Sequence, residues 1–165
     1  MHYEVMAFAR EVREKFPGHF RNSRVLELGS LDINGSVRPL FTDCMYVGVD
    51  KNAGPGVDVV GWFRDVLPPL PAGSMDVVLS LEALEHDPDR RTTMAETTRL
   101  LRPGGLLIVT TAYESRPTHE LHVTGYYENV QLKEFAYWLR PAEYGDLEIR
   151  ITRGNMDIAA WAIKA

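Results

Sequence analysis

The stretch Arg24-Val25-Leu26-Glu27-Leu28-Gly29-Ser30 is a short, mostly apolar run closed by a glycine, with one carboxylate set inside it. A run of this length stopped by a turn residue predicts a buried β-strand. Working outward, Met45-Tyr46-Val47-Gly48-Val49 repeats the pattern and ends in Asp50. Val57-Asp58-Val59-Val60 and Met75-Asp76-Val77-Val78-Leu79 follow. Leu106-Leu107-Ile108-Val109-Thr110 is a fifth, launched by the turn sequence Arg102-Pro103-Gly104-Gly105. Unalternating Val, Leu and Ile fit strands covered on both faces, the habit of a parallel sheet.

The connectors agree with such a sheet. Residues 3–16 place Val5, Phe8, Ala9, Val12 and Phe16 at helical spacing with charges opposite, and Pro17-Gly18 ends the helix. Asp87-Pro88 reads as an N-cap followed by proline at the first helical position, so residues 88–101 predict a crossover helix with Met94, Thr97, Thr98 and Leu101 inward. A shorter helix is expected at 34–41, entered at Asn34-Gly35-Ser36, with Pro39 tolerated only within about its first turn. A polar loop from Tyr113 to Thr124 leads to a helix near 128–139 and two strand-like runs, 147–152 and 158–163. Leu147, Ile149 and Ile151 alternate with charges, as on a half-exposed edge, and the turn at Arg153-Gly154-Asn155 predicts an antiparallel hairpin. The expected fold class is α/β, a mostly parallel seven-stranded sheet with an antiparallel terminal strand and helices on both faces. One domain is expected over 1–165: an N-terminal helix at 3–16, a core at 24–112, and a C-terminal helix and hairpin over 126–165.

With 165 residues, 45% hydrophobic and 25% charged, the chain fits one domain and is not disordered as a whole. Its formal charge of -5 gives no global footprint for phosphate backbones or anionic lipid, so neither non-specific nucleic-acid binding nor membrane binding is expected. One cysteine, Cys44, excludes an internal disulfide or a cysteine-rich zinc site; it reads as core. No apolar run approaches a membrane span, and Glu4, Arg10, Glu11 and Arg13 break up any leader-like stretch. A cytoplasmic location is expected.

Taken in order, four segments resemble the class I S-adenosylmethionine-dependent methyltransferases. They are Leu26-Glu27-Leu28-Gly29-Ser30, Asp50 closing the second strand, the run from Asp76 to His86, and Leu101-Arg102-Pro103-Gly104-Gly105-Leu106. The resemblance covers about residues 24–112 and implies a Rossmann-like sheet, S-adenosylmethionine as donor and S-adenosylhomocysteine as product. It further implies that Asp50 accepts the ribose hydroxyls, with Lys51 and Ser80 lining the same site. By chemistry alone, Glu27 is placed to hold the donor's ammonium directly or through water, and amides near Ser30 and the following helix N-terminus can face its carboxylate. A ligand at the carboxyl ends of parallel strands also needs a turn where backbone comes close, which Gly29 supplies. The alternative is that Gly29 only closes a strand and Asp50 caps a turn.

The sequence also departs from the family. Glycines usually stand two, four and six residues after the acid, where this chain has Gly29, Leu31 and Ile33. The loop is therefore expected to be longer or differently shaped, with Asp32 a turn residue. In place of the acid that usually follows the third strand stands Gly61-Trp62-Phe63-Arg64-Asp65. Trp62 or Phe63 would pack on the adenine, or belong to the core; Asp65 is the candidate for the missing carboxylate.

Glu82, Glu85 and His86 form a Glu-x-x-Glu-His motif after the fourth strand, and His119 and His122 lie in the loop after the fifth. On a helical turn, offsets of three and four would put the first three on one face. The set resembles the arrangement in ubiquinone-pathway O-methyltransferases and small-RNA 2′-O-methyltransferases. There such residues bind a divalent ion that lowers the pKa of an acceptor hydroxyl and orients it. Glu82, Glu85, His86 and His122 are the candidate ligands, better suited to Zn²⁺ or Mn²⁺ than to Mg²⁺. We favour the metal-free arrangement, with His86 as general base or hydrogen-bonding prop and Glu82 near the donor.

The remaining features read as packing or surface. Tyr126-Tyr127 and Phe135, Tyr137 and Trp138 either wall an acceptor pocket or pack under a helix; Arg90-Arg91 reads as an exposed pair, His2 and His19 as surface or helix-end residues. The function expected is methyl transfer, with oxygen slightly preferred, to an acceptor the sequence does not identify. The rivals are a non-catalytic S-adenosylmethionine-binding module, or an accessory subunit, and a dinucleotide-dependent oxidoreductase. No sizeable cap is inserted, so a partner subunit or a homodimer mate is the candidate for closing the site.

Overall fold

The computed structural model describes residues 3–33, 35–115, 126–140, 142–152 and 156–165. Helix α1 (Tyr3–Lys15) and a 3₁₀ turn (Pro17–Phe20) precede β1 (Arg24–Leu28), β2 (Met45–Asp50), β3 (Val59–Val60) and α2 (Phe63–Val66). Then come β4 (Met75–Leu81), α3 (Arg90–Leu100), β5 (Leu101–Ala112), α4 (Leu132–Trp138), β6 (Tyr144–Ile151) and β7 (Asp157–Lys164). The strands form one sheet in the order β3-β2-β1-β4-β5-β7-β6. β1 to β5 pair in parallel, and β7 runs antiparallel between β5 and β6. This is the mostly parallel sheet expected, and β6 is the half-exposed edge that its alternation predicts.

Two apolar cores sandwich the sheet. On one face Leu26, Leu28, Val49, Val78, Leu107 and Val109 pack under Met94 and Leu100 of α3 and Phe135 and Trp138 of α4. On the other, Val25, Val77, Leu79, Ile108 and Trp161 pack under Val5, Phe8 and Val12 of α1, at the spacing that made α1 readable. At the ends of the strands opposite the site, Asp76 joins Arg24 (2.9 Å) and Arg102 (2.5 Å), which together hold its carboxyl well below the usual range. Lys164 Nζ donates to the carbonyls of Thr98 (2.7 Å) and Leu101 (2.8 Å), so a side chain from β7 caps the last turn of α3.

Several boundaries differ from the sequence reading. The helix expected at 34–41 is only a 3₁₀ turn, Arg38–Leu40. Pro39, lacking an amide, sits in that turn and does not propagate it; Asn34 lies outside the described residues. The third strand shrinks to Val59–Val60, since Asp58 turns aside to accept from Gly48 N at 2.8 Å. β5 begins at Leu101 and carries the Arg102–Gly105 turn within it, as a shift of register against β4 between Met75 and Val77. α3 starts at Arg90, not 88, because Asp87 spends its carboxylate on Asp89 N (2.9 Å) and Thr93 Oγ1 (2.5 Å). α4 is the short Leu132–Trp138. The hairpin turn at 153–155 lies outside the described residues.

Cover is uneven. β4 and β7 are almost wholly buried, whereas Met45 and Val47 of β2 are 74% and 36% exposed, and both residues of β3 are exposed. The cause is in the connectors: α2 is a single turn, and the β1–β2 link holds only the Arg38–Leu40 turn. Among the described residues no helix is long and apolar enough to cross a membrane.

Candidate functional site

The parallel register brings Leu28 beside both Val49 and Ser80, so β1, β2 and β4 end level. Gly29 leaves β1 at φ +79°, and its amide donates to Val49 O at 2.8 Å. A Cβ on Gly29 would lie 2.3 Å from Cβ of Ala83, so the loops after β1 and β4 approach as only glycine permits. The loop after β2 folds onto the first: Asp32 N donates to Pro55 O (2.9 Å), and a Cβ on Gly56 would meet Ser30 O at 2.5 Å. That clasp replaces the glycines absent at positions 31 and 33.

Polar groups converge on this crevice. Asp50 ends β2; its Oδ1 accepts from Asn52 N (2.9 Å) and its Oδ2 from Leu31 N (3.4 Å), which fixes the carboxylate between the two loops. Ser30 and Ser80 are buried, and neither hydroxyl has a hydrogen-bond partner among the described residues. Buried hydroxyls of that kind are costly unless a ligand or water satisfies them. Glu27, 4% exposed on β1, accepts a 2.8 Å hydrogen bond from the Tyr46 hydroxyl, and burial pushes its carboxyl up to about 7. Trp62 is 39% exposed, flanked by Lys51 Nζ at 5.3 Å and Arg64 Cζ at 5.2 Å from its ring centre, while Phe63 packs against the core. The structure thus gathers Glu27, Gly29, Ser30, Asp50, Lys51, Trp62 and Ser80 around one end of the sheet, and separates the two aromatics into one exposed and one packed residue. A zwitterion, a diol and a flat base fit these groups, so the donor set suits S-adenosylmethionine.

The Glu-x-x-Glu-His segment is not the helical face expected. Glu82 takes a left-handed φ of +56°, donating its amide to Thr110 O (3.0 Å), and only then does a 3₁₀ turn begin, Leu84–His86. The break leaves Glu82 outside the turn that holds Glu85 and His86. Glu85 points inward, 1% exposed, and accepts from the Thr111 hydroxyl at 2.9 Å, while its carbonyl accepts from Glu128 N at 2.8 Å. His86 Nδ1 lies 3.2 Å from Tyr126 O, with its ring 5.2 Å from that of Tyr127. Among the described residues no three His, Cys, Asp or Glu side chains gather as a metal-binding group, and His119 and His122 lie outside them. His122 of the candidate ligand set thus lies beyond what the structure describes, and His86 sits beside Tyr126 and Tyr127.

Two residues that brace the site escape the sequence reading. Tyr46 looked like one strand residue among others; its signal was a tyrosine on the strand next to a carboxylate embedded in apolar sequence. Arg90 is not the exposed partner of Arg91 but 7% exposed. It reaches Glu134 (3.1 Å), Glu128 O (3.1 Å) and the Tyr126 hydroxyl (3.5 Å), pinning the segment beside His86 to α3 and α4. Its acidic partners lie about 40 positions away, where no local pattern links them.

Comparison with known proteins places the chain in context. A family described as "Methyltransferase domain" matches residues 45–109. The ubiquinone biosynthesis O-methyltransferase of Methylococcus capsulatus is 34% identical over 92 residues, a match covering 53% of this chain and 38% of that protein. The chain therefore spans well under half the length of that curated relative. The Burkholderia thailandensis 1,6-didemethyltoxoflavin-N1-methyltransferase, solved with S-adenosylhomocysteine, superposes with a TM-score of 0.67 at 22% identity, covering 98% of this chain and 78% of that one. A Haloferax volcanii methyltransferase, solved in complex with the Trm112 activator, superposes at 0.64 with 18% identity over 99% of both chains. These two likenesses show a shared fold.

Proposed function

We propose that the chain is a class I S-adenosylmethionine-dependent methyltransferase that transfers a methyl group to an oxygen of an acceptor, a reading supported by the family match over residues 45–109 and by the curated relative. The observation that carries the reading is the level ending of β1, β2 and β4, which sets Glu27, the Gly29 turn and Asp50 around one crevice. Oxygen as the accepting atom is supported by the curated relative, which is an O-methyltransferase.

When bound, the donor supplies an electrophilic methyl carbon on a good leaving group. The protein's part is alignment and exclusion of water. Glu27 would hold the ammonium, the Ser30 hydroxyl would face the carboxylate, since the Ser30 amide donates to Val49 O at 3.2 Å, and Asp50 would accept the ribose hydroxyls with Lys51 beside it. Trp62 lies along the base, and Ser80 meets the donor's methionine end. The chemistry the donor would supply is displacement at that methyl carbon by an acceptor hydroxyl oxygen, with the sulfur as the leaving group. His86 takes the hydroxyl proton, and Glu82 borders the transfer line. A cytoplasmic location and a partner subunit or second copy closing the open side belong to the same reading; the solved complex of one fold neighbour with an activator supports the latter.

Calorimetry with S-adenosylhomocysteine tests it. The protein should bind one equivalent, and Asp50→Ala, folded, should lose about 2–5 kcal/mol of that affinity. No binding by the intact protein overturns the reading, and unchanged binding by Asp50→Ala overturns the ribose assignment. Incubation with labelled S-adenosylmethionine and fractionated extract separates catalysis from storage. Tight binding with no label moved would identify a donor-binding module.

A further inference from the structure

Glu27 is the most deeply buried carboxylate in the donor crevice, and it is held in an unusual way. After the Gly29 loop the described residues form only the 3₁₀ turn Arg38–Leu40, so no longer helix from that connector covers this part of the sheet face. Polar side chains cover it instead. Tyr46 stands one strand over, and its hydroxyl donates to Glu27 Oε2 at 2.8 Å. Arg38, from the 3₁₀ turn, lies over the Tyr46 ring at 4.8 Å and donates to Tyr46 O at 3.1 Å. Its other nitrogen reaches Asp58 at 3.0 Å, and Asp58 in turn accepts from Gly48 N at 2.8 Å. Arginine thus clamps the tyrosine from ring and carbonyl, and the tyrosine clamps the glutamate.

We propose that Tyr46, anchored by Arg38 and Asp58, is a positioning residue that holds Glu27 Oε2 so that Oε1 takes the ammonium of the donor's methionine end. The inference rests on the donor reading above. The phenol keeps its proton, because burial and the adjacent Glu27 push its own ionisation far above the physiological range, so it is available to donate to the charged carboxylate. The carboxyl it holds stays close to neutrality. Burial raises it, Tyr46 and Arg38 lower it, and Asp32 and Asp50, facing it from the two loops, raise it. An arriving ammonium favours the ionised form, so binding below about pH 7 expels a proton from Glu27.

The test is calorimetry with S-adenosylhomocysteine from pH 5.5 to 8.5 on wild type, Tyr46→Phe and Glu27→Gln, in buffers of different ionisation enthalpy. Wild type should bind more weakly as pH falls through 7 and release a proton there. Tyr46→Phe loses the donor that favours the charged carboxylate, so its carboxyl should titrate about one unit higher and its affinity near pH 6 should fall about tenfold. The gap should close toward pH 8.5. Glu27→Gln should give a flat profile with no proton released. Carbon-13 NMR of the ligand-free carboxyl supplies the same shift without any ligand. A Tyr46→Phe protein with the wild-type profile and carboxyl titration overturns the inference alone, since a purely structural tyrosine would lower the melting temperature but leave both in place. Wild type that binds no S-adenosylhomocysteine overturns the donor reading and this inference with it.

Discussion

The two halves of the sheet are built by different means. β4, β5 and β7 lie between helices and are buried on both faces, and their neighbours are almost all apolar. β2 and β3 have a one-turn helix and a 3₁₀ turn for cover, leaving Met45, Val47, Val59 and Val60 exposed. β1, between them, is buried by a mixture of apolar contacts and the Tyr46–Arg38–Asp58 chain. The donor crevice opens along this border. Rigidity comes from one side, and polar groups able to meet a charged ligand from the other, so stability and binding should respond to mutation on different sides of β1.

The largest effect should fall in the covered half. Phe135 is the fully buried inward residue of α4, and Phe135→Ala should cost about 3–5 kcal/mol in urea unfolding. A loss below about 1 kcal/mol would mean that the helical cover is not what holds the sheet. At the border the sign reverses. The Glu27 carboxyl moves from 4.5 to about 7 on folding, so the folded chain binds more protons between those values. Stability therefore falls as pH rises through that window, and the full cost is present above 7. Glu27→Gln should be more stable than wild type by about 1–2 kcal/mol at pH 8 and equal to it near pH 4, while binding donor product less well. Equal unfolding midpoints at pH 8 would show that burial does not strain this carboxylate. The smallest effect belongs to the uncovered half: Met45→Lys, 74% exposed in wild type, should change stability by less than about 0.5 kcal/mol. A larger loss, read by the same unfolding assay, would show that another surface covers β2 in solution.

The strands were legible because each is a continuous apolar run, and a parallel sheet leaves no other way to bury Val77-Val78-Leu79 or Leu106-Leu107-Ile108-Val109. Gly29 and Asp50 were legible because strand ends in such a sheet converge, so sequence position translates into place. The connectors were harder to read. Asp87-Pro88 has the chemistry of a helix start, but the Thr93 hydroxyl draws the aspartate away and delays the helix to Arg90. The Glu82-to-His86 spacing suits a helix that the left-handed backbone at Glu82 interrupts. Contacts such as Tyr46 with Glu27 or Arg90 with Glu134 depend on which strands and helices become neighbours, and no local pattern encodes that.

The place of β7 has a consequence for how the protein is made. This strand follows every other in the chain, yet it is threaded between β5 and β6. During synthesis β5 must wait with one edge unpaired, its Leu106-Leu107-Ile108-Val109 backbone exposed, while the alanines that will meet it, Ala159, Ala160 and Ala162, are still to be translated. Folding therefore finishes by inserting an interior strand. A growing chain halted before Asp157 presents a long, flat, apolar edge of the kind that pairs with other chains. Stalled or truncated products should accordingly be the species most in need of chaperones.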